Sequence, residues 1–228
     1  MLRSGAGGGE LRAAGGLKER PDLLAGEVRP QAPQQSRSRQ KRIRWKRAGL
    51  AVFAEKGYER ATIQEIAGRA RLPVGGFYLH FGSKRQLLLA LMDELLEHLS
   101  VLDLKGGLYT GPRAVVHSIL KQAFSRDLAY LGACRAWQEA VLSDVELAEK
   151  NARIQQWTTA RTRVVFEQLQ RLRRARKEVD VDGLARVIDA FFWGLLGRAA
   201  GMDKKELKRW VEVSAELIYH ALFEDGDA

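Results

Sequence analysis

Two side chains that can donate hydrogen bonds to phosphate lie in the stretch PVGGFYLHF, residues 73–81, beside two adjacent glycines. Tyr78 offers a phenol hydroxyl and His80 an imidazole N–H. Lys84 follows in the first turn of the next predicted helix, where exposed backbone N–H groups also favour an anion. These residue types at this spacing favour a surface that binds phosphate groups, although Tyr78 and His80 could instead be packing residues.

An apolar pattern typical of two crossing helices surrounds these donors. Counted from Ile63, it occupies the fourth, fifth, eighth, tenth and fifteenth positions, which are Ile66, Ala67, Ala70, Leu72 and Phe77. The small side chain of Ala67 lets the helices cross closely, and the other four form a miniature core beneath them. The pattern predicts a helix-turn-helix whose second helix, residues 73–80, enters a DNA major groove.

Local signals mark where the two helices begin. Thr62-Ile63-Gln64-Glu65 is a capping box, in which the first and last residues satisfy each other's backbone N–H groups. Pro73 suits the start of the second helix, because a missing N–H costs little there. Gly75 and Gly76 weaken that helix by roughly 1 kcal/mol each, which is reasonable where a backbone must approach another surface closely.

Composition limits the class of protein. The chain has 228 residues, 46% of them hydrophobic, which is enough for one large or two small domains. Its single cysteine, Cys134, excludes an internal disulfide and predicts a reducing cytoplasm, and no apolar run approaches the roughly 20 residues that span a bilayer. The sequence has no Gly-rich phosphate loop, nucleophile elbow or metal-ligand spacing, so we expect neither an enzyme nor a cofactor.

Positive charge is concentrated at the N-terminus. The formal net charge is +10, and residues 1–47 contain twelve basic and four acidic side chains, a net charge of +8. A basic arm on a nearly neutral body predicts a polyanionic partner, either nucleic acid or an anionic membrane; a solvated tail without function is the alternative. Residues 1–36 lack apolar periodicity, so we expect a disordered extension.

The rest of the chain is predicted to be all-α, because apolar residues recur every three to four positions and strand alternation is absent. Gly57 is expected to end the first helix, and Ser83 to begin a long fourth one. Five further helices are predicted at about 112–130, 133–142, 145–177, 181–200 and 203–223. The expected fold has a small N-terminal unit and a larger C-terminal one, with about nine helices in total.

The segment from Phe53 to Met92 resembles the N-terminal domain of the TetR (tetracycline repressor) family of bacterial transcriptional regulators. The matching positions are FAEKGY at 53–58, Thr62, Ile66-Ala67, Phe77-Tyr78, Phe81, Ser83-Lys84 and Leu87-Leu88. The resemblance implies a helix-turn-helix DNA-binding domain at 37–82, a connecting helix at 83–104, and an effector-binding and dimerisation domain at 105–228.

By this resemblance, the protein is a cytoplasmic, ligand-responsive regulator that binds a palindromic double-stranded DNA operator as a homodimer. Repression is the commonest outcome in the family, and activation is left open. A rival interpretation is a helical interaction protein, or a membrane-surface protein, that uses the basic tail without sequence-specific DNA binding.

The resemblance also implies DNA contacts for particular residues. Phosphates would be held by Thr62, Tyr78, His80 and Lys84, and base edges would be faced by Gln64, Val74, Gly75 and Gly76. Glutamine suits adenine, although it could simply be solvated, and valine suits the thymine methyl group. The basic residues Arg37, Arg39, Lys41 and Arg42 could follow the phosphate backbone or enter a minor groove.

Arg71, Gly49 and the pair Lys46-Arg47 depart from the family pattern, the pair standing where Leu-Asp is usual. Arg71 stands where the turn usually has glycine, and a left-handed backbone there would add roughly 1 kcal/mol of strain. Gly49 stands inside the first helix, where alanine is usual. We expect a modestly weakened domain whose phosphate contacts are intact.

Two apolar stripes near the C-terminus are candidates for a dimer interface. The first comprises Leu184, Ile188, Phe191 and Leu195, and the second comprises Leu207, Val211, Ser214, Ile218 and Leu222. Two such helices could form a four-helix bundle with a symmetry mate, or they could cover the protomer's own core.

Apolar and aromatic residues of the middle helices are candidates for an effector pocket. They are Phe124, Tyr130, Cys134, Trp137, Trp157 and Phe166. A cavity lined in this way would bind a hydrophobic or aromatic effector, whereas the same residues at helical spacing could be plain core. The sequence does not identify the effector.

Overall fold

The computed structural model describes residues 19–27, 36–100, 111–127, 130–199 and 201–224, the side chains at 123–127 excepted. Within these ranges there are nine α-helices: α1 (Ser36–Arg60), α2 (Ile63–Ala70), α3 (Val74–Phe77), α4 (Lys84–Ser100), α5 (Pro112–Asp127), α6 (Leu131–Val141), α7 (Val145–Leu169), α8 (Val181–Ala199) and α9 (Lys204–Leu222). One isolated β-bridge pairs Ala175 with Phe223. The all-α prediction is confirmed. None of the described helices combines the length and the apolar character that crossing a bilayer requires.

Two helices are shorter than the sequence predicts. α3 is a single turn, after which the N–H of Phe81 donates to the carbonyl oxygen of Phe77 at 2.9 Å. α7 ends at Leu169 instead of continuing to 177, because the following segment packs against the end of α9. There the N–H of Arg176 donates to the carbonyl oxygen of Leu222 at 2.8 Å.

Gly57 interrupts α1, as the predicted helix end requires. Its backbone has φ 74° and ψ −173°, a conformation that glycine adopts without strain. The space is also restricted, since a Cβ here would lie 2.1 Å from the carboxylate oxygens of Glu139. That carboxylate accepts a hydrogen bond from the N–H of Tyr58 at 2.6 Å. A side chain of α6 therefore holds the break in α1.

An aromatic core lies beneath the crossing of α2 and α3. The rings of Trp45 and Phe77 are perpendicular, with centroids 5.3 Å apart. Ile66 and Ala67, which the sequence places under the crossing, are 0% and 2% exposed. Both hydrogen bonds of the capping box that begins at Thr62 are present. The helix-turn-helix prediction is confirmed.

Two of the departures from the family pattern, Arg71 and Gly49, have different consequences. Arg71 adopts the left-handed conformation, with φ 51° and ψ 47°, so the expected strain of roughly 1 kcal/mol applies. A Cβ at Gly49 would lie 2.7 Å from Cδ2 of Leu87. Alanine at this position would require Leu87 to shift, so glycine suits the close packing of α4 against α1 and the expected weakening stays a prediction.

α6 joins the two halves of the chain. It crosses α1 at Gly132, where a Cβ would lie 2.1 Å from the carbonyl oxygen of Leu50. Arg135 donates to the carbonyl oxygen of Ala54 at 2.7 Å, and Trp137 belongs to the same buried cluster as the residues of α1 to α4. A second cluster is formed by α5, the end of α7, α8 and α9. The helix-turn-helix unit and the first part of the C-terminal unit therefore share one core.

Residues 19–27, which we call the N-terminal strap, pack against this core. Leu23 is 1% exposed and belongs to the main cluster. The ammonium group of Lys150 in α7 donates to the carbonyl oxygen of Leu23 at 3.0 Å. Arg20 forms a salt bridge of 2.6 Å with Asp93 in α4. The strap therefore bridges α4 and α7.

The expectation that residues 1–36 are disordered is wrong for the strap. Its contacts reach residues about 60 to 130 positions away in sequence, and a local pattern cannot reveal such partners. Glu27, for example, pairs with Arg85, which also pairs with Asp144 at 3.0 Å. Residues 1–18 and 28–35 lie outside the described ranges.

Candidate nucleic-acid interface and effector cavity

α2 and α3 leave a surface that the rest of the described chain does not cover. Gln64 and Gly75 are exposed, and Tyr78 and Leu79 are 51% and 72% exposed. We call these four residues the α2–α3 surface. Leu79 is an addition to the sequence-based candidates, which were chosen for hydrogen bonding and so passed over an apolar side chain.

The three positions predicted to face base edges differ in exposure. A Cβ at Gly75 would meet nothing within 4 Å, whereas a Cβ at Gly76 would lie 3.9 Å from Trp45. Val74 is half-buried and packs against the main core cluster. Gly75 is therefore the most accessible of the three, and the packing of this chain does not require glycine there.

Thr62 is exposed at the start of α2, and its hydroxyl group has local partners. The oxygen accepts a hydrogen bond from the N–H of Glu65 at 3.2 Å, and the hydroxyl donates to the carboxylate of Glu65 at 3.0 Å. Hydrogen bonds from Lys56 and then Thr62 lower the pKa of that carboxyl group. The capping role accounts for Thr62 without DNA, so its phosphate contact stays a prediction.

His80 lies on the inner side of the turn after α3. Its side chain is 5% exposed, and its Nδ1 has no hydrogen-bond partner among the described residues. Burial lowers the pKa of the imidazole, and the positive charges of Arg42 and Lys41 lower it further, so the ring is mainly neutral at pH 7. The structure contradicts an exposed His80 beside Tyr78. The alternative, that His80 is a packing residue, fits the geometry.

Lys84 turns inward and caps the end of α1. Its ammonium group donates to the carbonyl oxygens of Tyr58 at 2.6 Å and Ala61 at 3.0 Å, and it lies 4.4 Å from the centre of the Tyr58 ring. Burial lowers the pKa of this ammonium group. Because the side chain is half-buried and its hydrogens are already donated, a phosphate at Lys84 would have to share them.

The basic residues at the start of α1 fall into two groups. Arg42 donates to the carbonyl oxygen of His80 at 2.7 Å, and Arg44 donates to that of Ala70 at 2.5 Å. These two arginines therefore stabilise the turns around α3, a role the sequence did not predict. Besides Arg44, the exposed basic side chains between Ser36 and Leu50 are Arg37, Arg39, Lys41 and Arg47. Arg39 and Lys41 remain candidates for phosphate contacts.

A cavity of about 800 Å³, including its opening to solvent, lies among α4, α5, α7, α8 and α9. Its lining is mainly apolar and includes Trp157 and Phe166, as predicted. Tyr130, Cys134 and Trp137 do not line it, and each is at most 8% exposed. The reason is that α6 packs on α1, so its apolar side chains fill the shared core. The side chain of Phe124 lies outside the described residues.

Two charged side chains interrupt the apolar lining. Arg161 donates to the carbonyl oxygen of Leu99 at 2.8 Å, and burial lowers its pKa. Asp189 is 6% exposed and accepts a hydrogen bond from the hydroxyl of Thr159 at 3.1 Å; burial raises the pKa of its carboxyl group. The sequence analysis missed Asp189, although an acid one turn after buried Ala185 in α8 was a usable signal.

Comparison with known proteins shows what this helix-turn-helix resembles. Residues 47–91 match the family model described as bacterial regulatory proteins, tetR family. The A-factor receptor protein of Streptomyces griseus is 49% identical over 47 residues, which are 21% of this chain and 17% of that protein. Across the curated relatives, the chain aligns with 15% to 31% of their length.

Solved structures extend the likeness to the overall fold. NalD of Pseudomonas aeruginosa, the secondary repressor of the MexAB-OprM multidrug efflux pump, has a TM-score of 0.54 and 20% identity, covering 83% of this chain and 100% of that one. A transcriptional regulator from Rhodococcus has a TM-score of 0.58 and 20% identity, covering 81% and 99%. Residues 47–91 belong to the TetR family of DNA-binding domains. At 20% identity, these two structures show a likeness of fold alone.

Most of the residues predicted to form the dimer stripes of α8 and α9 are covered by the protomer itself. The buried members are Leu195, Leu207, Ser214, Ile218 and Leu222, and the half-buried members are Leu184, Ile188 and Val211. Phe191 is exposed, at 37%. The prediction of an intersubunit contact is wrong for the five buried residues, because a side chain packed inside its own protomer is not available to a partner.

Other apolar residues of α8 and α9 are exposed. Val187 is 65% exposed and lies four positions before Phe191, and Val213 and Leu217, also four apart, are 61% and 55% exposed. Side chains four apart share one face of a helix. Each of the two C-terminal helices therefore presents an apolar face that the described chain leaves uncovered.

Proposed function

We propose that this TetR-family protein is a DNA-binding transcriptional repressor that releases its operator when a small effector occupies the cavity. The observation that carries the proposal is the α2–α3 surface, where Gly75 is exposed between Gln64 and Tyr78 with open space at its Cβ position. The roles of these residues, the dimer and the effector response are parts of the same proposal. It involves no catalytic residue.

The glycine is informative because it weakens the fold. A glycine within a helix costs roughly 0.5–1 kcal/mol relative to alanine, and a Cβ at Gly75 would meet nothing within 4 Å. The cost is explained if another molecule must approach the backbone of α3. Duplex DNA fits the charge of this unit, since residues 36–84 contain twelve basic and three acidic side chains, a net charge of +9.

We assign different roles to the two polar residues of the surface. The hydroxyl of Tyr78 donates to a phosphate, which positions the protein without reading sequence. The amide of Gln64 contacts a base edge, where it can form a bidentate pair with adenine. Lys41 and the exposed arginines of α1 follow the phosphate backbone.

The proposed functional unit is a homodimer. Two recognition helices must lie about 34–36 Å apart to reach successive major grooves of a palindromic operator. The exposed pairs Val187–Phe191 and Val213–Leu217 offer the apolar area for an isologous contact. Leu217→Arg should shift the sedimenting species from dimer to monomer, whereas Leu142→Arg, at an exposed position in the turn after α6, should not.

The cavity is proposed to control DNA binding through α4. Arg161, which lines the cavity, donates to the carbonyl oxygens of Leu99 and Ser100 at the end of that helix. The opposite end of α4 carries Lys84, which contacts the segment before α2. A ligand that favours a shifted α4 would lower the population of the DNA-binding arrangement.

Selection of bound DNA from a random pool, followed by footprinting of the recovered sequence, tests the proposal. Tyr78→Phe should weaken binding to all sequences about equally, whereas Gln64→Ala should relax the preference at one base position. Affinity should fall steeply with salt. Equal effects of both variants on every sequence would contradict the assigned roles. Binding to anionic liposomes with no preference among DNA sequences would favour the membrane-surface interpretation.

A further inference from the structure

The cavity contains a buried acid that has no counter-ion among the described residues. Asp189 is 6% exposed, and its hydrogen-bond partners are the hydroxyl groups of Thr159, at 3.1 Å, and of Thr158. Among the described residues, no lysine, arginine or histidine forms a salt bridge with it. A buried carboxylate is costly unless a charge or hydrogen bonds compensate it. Burial raises the pKa of Asp189 for this reason.

Arg161 lines the same cavity but is committed elsewhere. Its guanidinium group donates to the carbonyl oxygens of Leu99 at 2.8 Å and Ser100 at 3.3 Å. It also lies 5.0 Å from the centre of the Trp157 ring. These contacts direct its positive charge to the carboxyl end of α4, where it complements the helix dipole. Neither charged group of the lining has an ionic partner among the described residues, but Arg161 is held by backbone carbonyl oxygens and an aromatic ring, whereas Asp189 is held by hydroxyl groups.

The rest of the lining is apolar or carries hydroxyl groups. Along α7 it includes Thr158, Thr162 and Phe166, and on α8 it includes Phe192. A ligand of this cavity must therefore be largely apolar, because each polar atom without a partner would lose its hydration on entry. A cationic nitrogen placed at Asp189 is the exception, because the carboxylate there can replace its lost hydration.

We propose that the cavity selects a largely apolar molecule carrying a basic nitrogen, and that Asp189 forms the ion pair with that nitrogen. This inference rests on the proposed function in one respect, namely that the cavity is the effector site. The ion pair compensates the buried negative charge of Asp189. A ligand that supplies the positive charge should therefore bind more tightly than a neutral ligand of the same shape.

Three probes of matched shape test this proposal by calorimetric titration: 4-phenylbutylamine, 4-phenylbutanol and 4-phenylbutyrate. The amine should bind about tenfold to a hundredfold more tightly than the alcohol, as expected for a charge-assisted hydrogen bond, and the carboxylate should bind most weakly. Asp189→Asn should abolish the preference for the amine. Asp182→Asn is the matched control, since Asp182 lies on the same helix, pairs with Arg186 at 2.9 Å and is not part of the lining.

Asp189→Asn should remain folded and unfold at a higher temperature, because the amide keeps the shape of the side chain without the buried charge. Equal affinity for amine and alcohol would overturn the proposal. Asp189 would then have only a structural role, as the acceptor of a hydrogen bond between α7 and α8. A preference that persists in Asp189→Asn, or tightest binding of the carboxylate, would also overturn it. DNA binding is measured separately by gel shift without any probe, so a failure of the proposed function is distinguishable from a failure here.

Discussion

Leu23→Ala tests whether the N-terminal strap is a stable part of the fold. Leu23 is 1% exposed and packs in the main core cluster. Truncation of a buried leucine to alanine costs about 2–5 kcal/mol. We expect the lower part of this range, about 2–3 kcal/mol, because the strap lies at the edge of the core and its backbone can relax into the space.

The stability lost in Leu23→Ala has an upper bound, since the strap can detach while the helices stay folded. Deletion of residues 1–27 removes Leu23 together with the ion pairs that Arg20 and Glu27 form with α4. The deletion should therefore destabilise the protein at least as much as Leu23→Ala. In a chain of this length, 1 kcal/mol shifts the unfolding midpoint by about 2–4 °C, so Leu23→Ala should lower the midpoint by roughly 4–12 °C.

Thermal unfolding followed by circular dichroism measures both effects. Leu24→Ala is the matched control, because Leu24 is half-buried and should lower the midpoint less than its neighbour. A glutamate-specific protease should cleave after Glu27 faster in Leu23→Ala than in the wild type, since detachment exposes the strap. An unchanged midpoint after deletion of residues 1–27 would refute the reasoning, because an undocked strap contributes nothing to stability.

Three further predictions concern single positions. Gly75→Ala should raise the unfolding midpoint, since alanine favours the helix by roughly 0.5–1 kcal/mol, and should weaken DNA binding in gel shifts; unchanged DNA affinity would contradict a close approach of DNA to α3. Gly132→Ala should cost at least about 1–3 kcal/mol by overpacking, because its Cβ would lie 2.1 Å from Leu50, whereas Gly68→Ala, with nothing within 4 Å, should be neutral or stabilising in the same melts. The pKa of His80 is lowered by burial and nearby positive charge, so the unfolded chain binds a proton that the folded chain rejects; stability should fall as pH drops below about 6.5, and His80→Asn should reduce this pH dependence.

Local signals predicted the helix-turn-helix well. The capping box at Thr62 and the left-handed Arg71 are set by hydrogen bonds within a few residues, and the break at Gly57 is marked by the glycine itself. Such features depend little on the rest of the fold. The apolar spacing through Phe77 predicted the small core for the same reason, because side-chain direction along a helix follows from its 3.6-residue period.

The same helical period also predicts the direction of the His80 side chain. Successive residues of a helix are rotated by about 100°, so His80 lies about 60° from the buried direction of Phe77, whereas Tyr78 lies about 100° from it. Periodicity therefore already favoured an inward His80 and an outward Tyr78. The error came from giving chemical suitability for phosphate more weight than direction.

The dimer stripes illustrate a limit of amphipathic patterns. An apolar face indicates that a helix packs against another apolar surface. Ile218 packs inside its own protomer, and the sequence pattern alone does not distinguish this packing from a contact with a second subunit. The exposed pair Val213–Leu217 forms a second, adjoining stripe on α9, which is visible only once the first has been assigned to the core. The cavity was mislocated for a related reason, because Trp137 points toward α1.

α1 contacts both α6 and α4, and the difference between these two contacts suggests how a change in the cavity reaches the α2–α3 surface. α6 holds α1 closely at Gly132 and caps its break through Glu139, and α6 does not line the cavity. α4 does, and its first residue, Lys84, holds the carbonyl oxygens of Tyr58 and Ala61. Because Ala61 lies two residues before the first residue of α2, a shift of α4 acts on the entry to α2 while α6 keeps α1 in place. The orientation of the α2–α3 surface relative to α1 is thus the quantity that an effector would change.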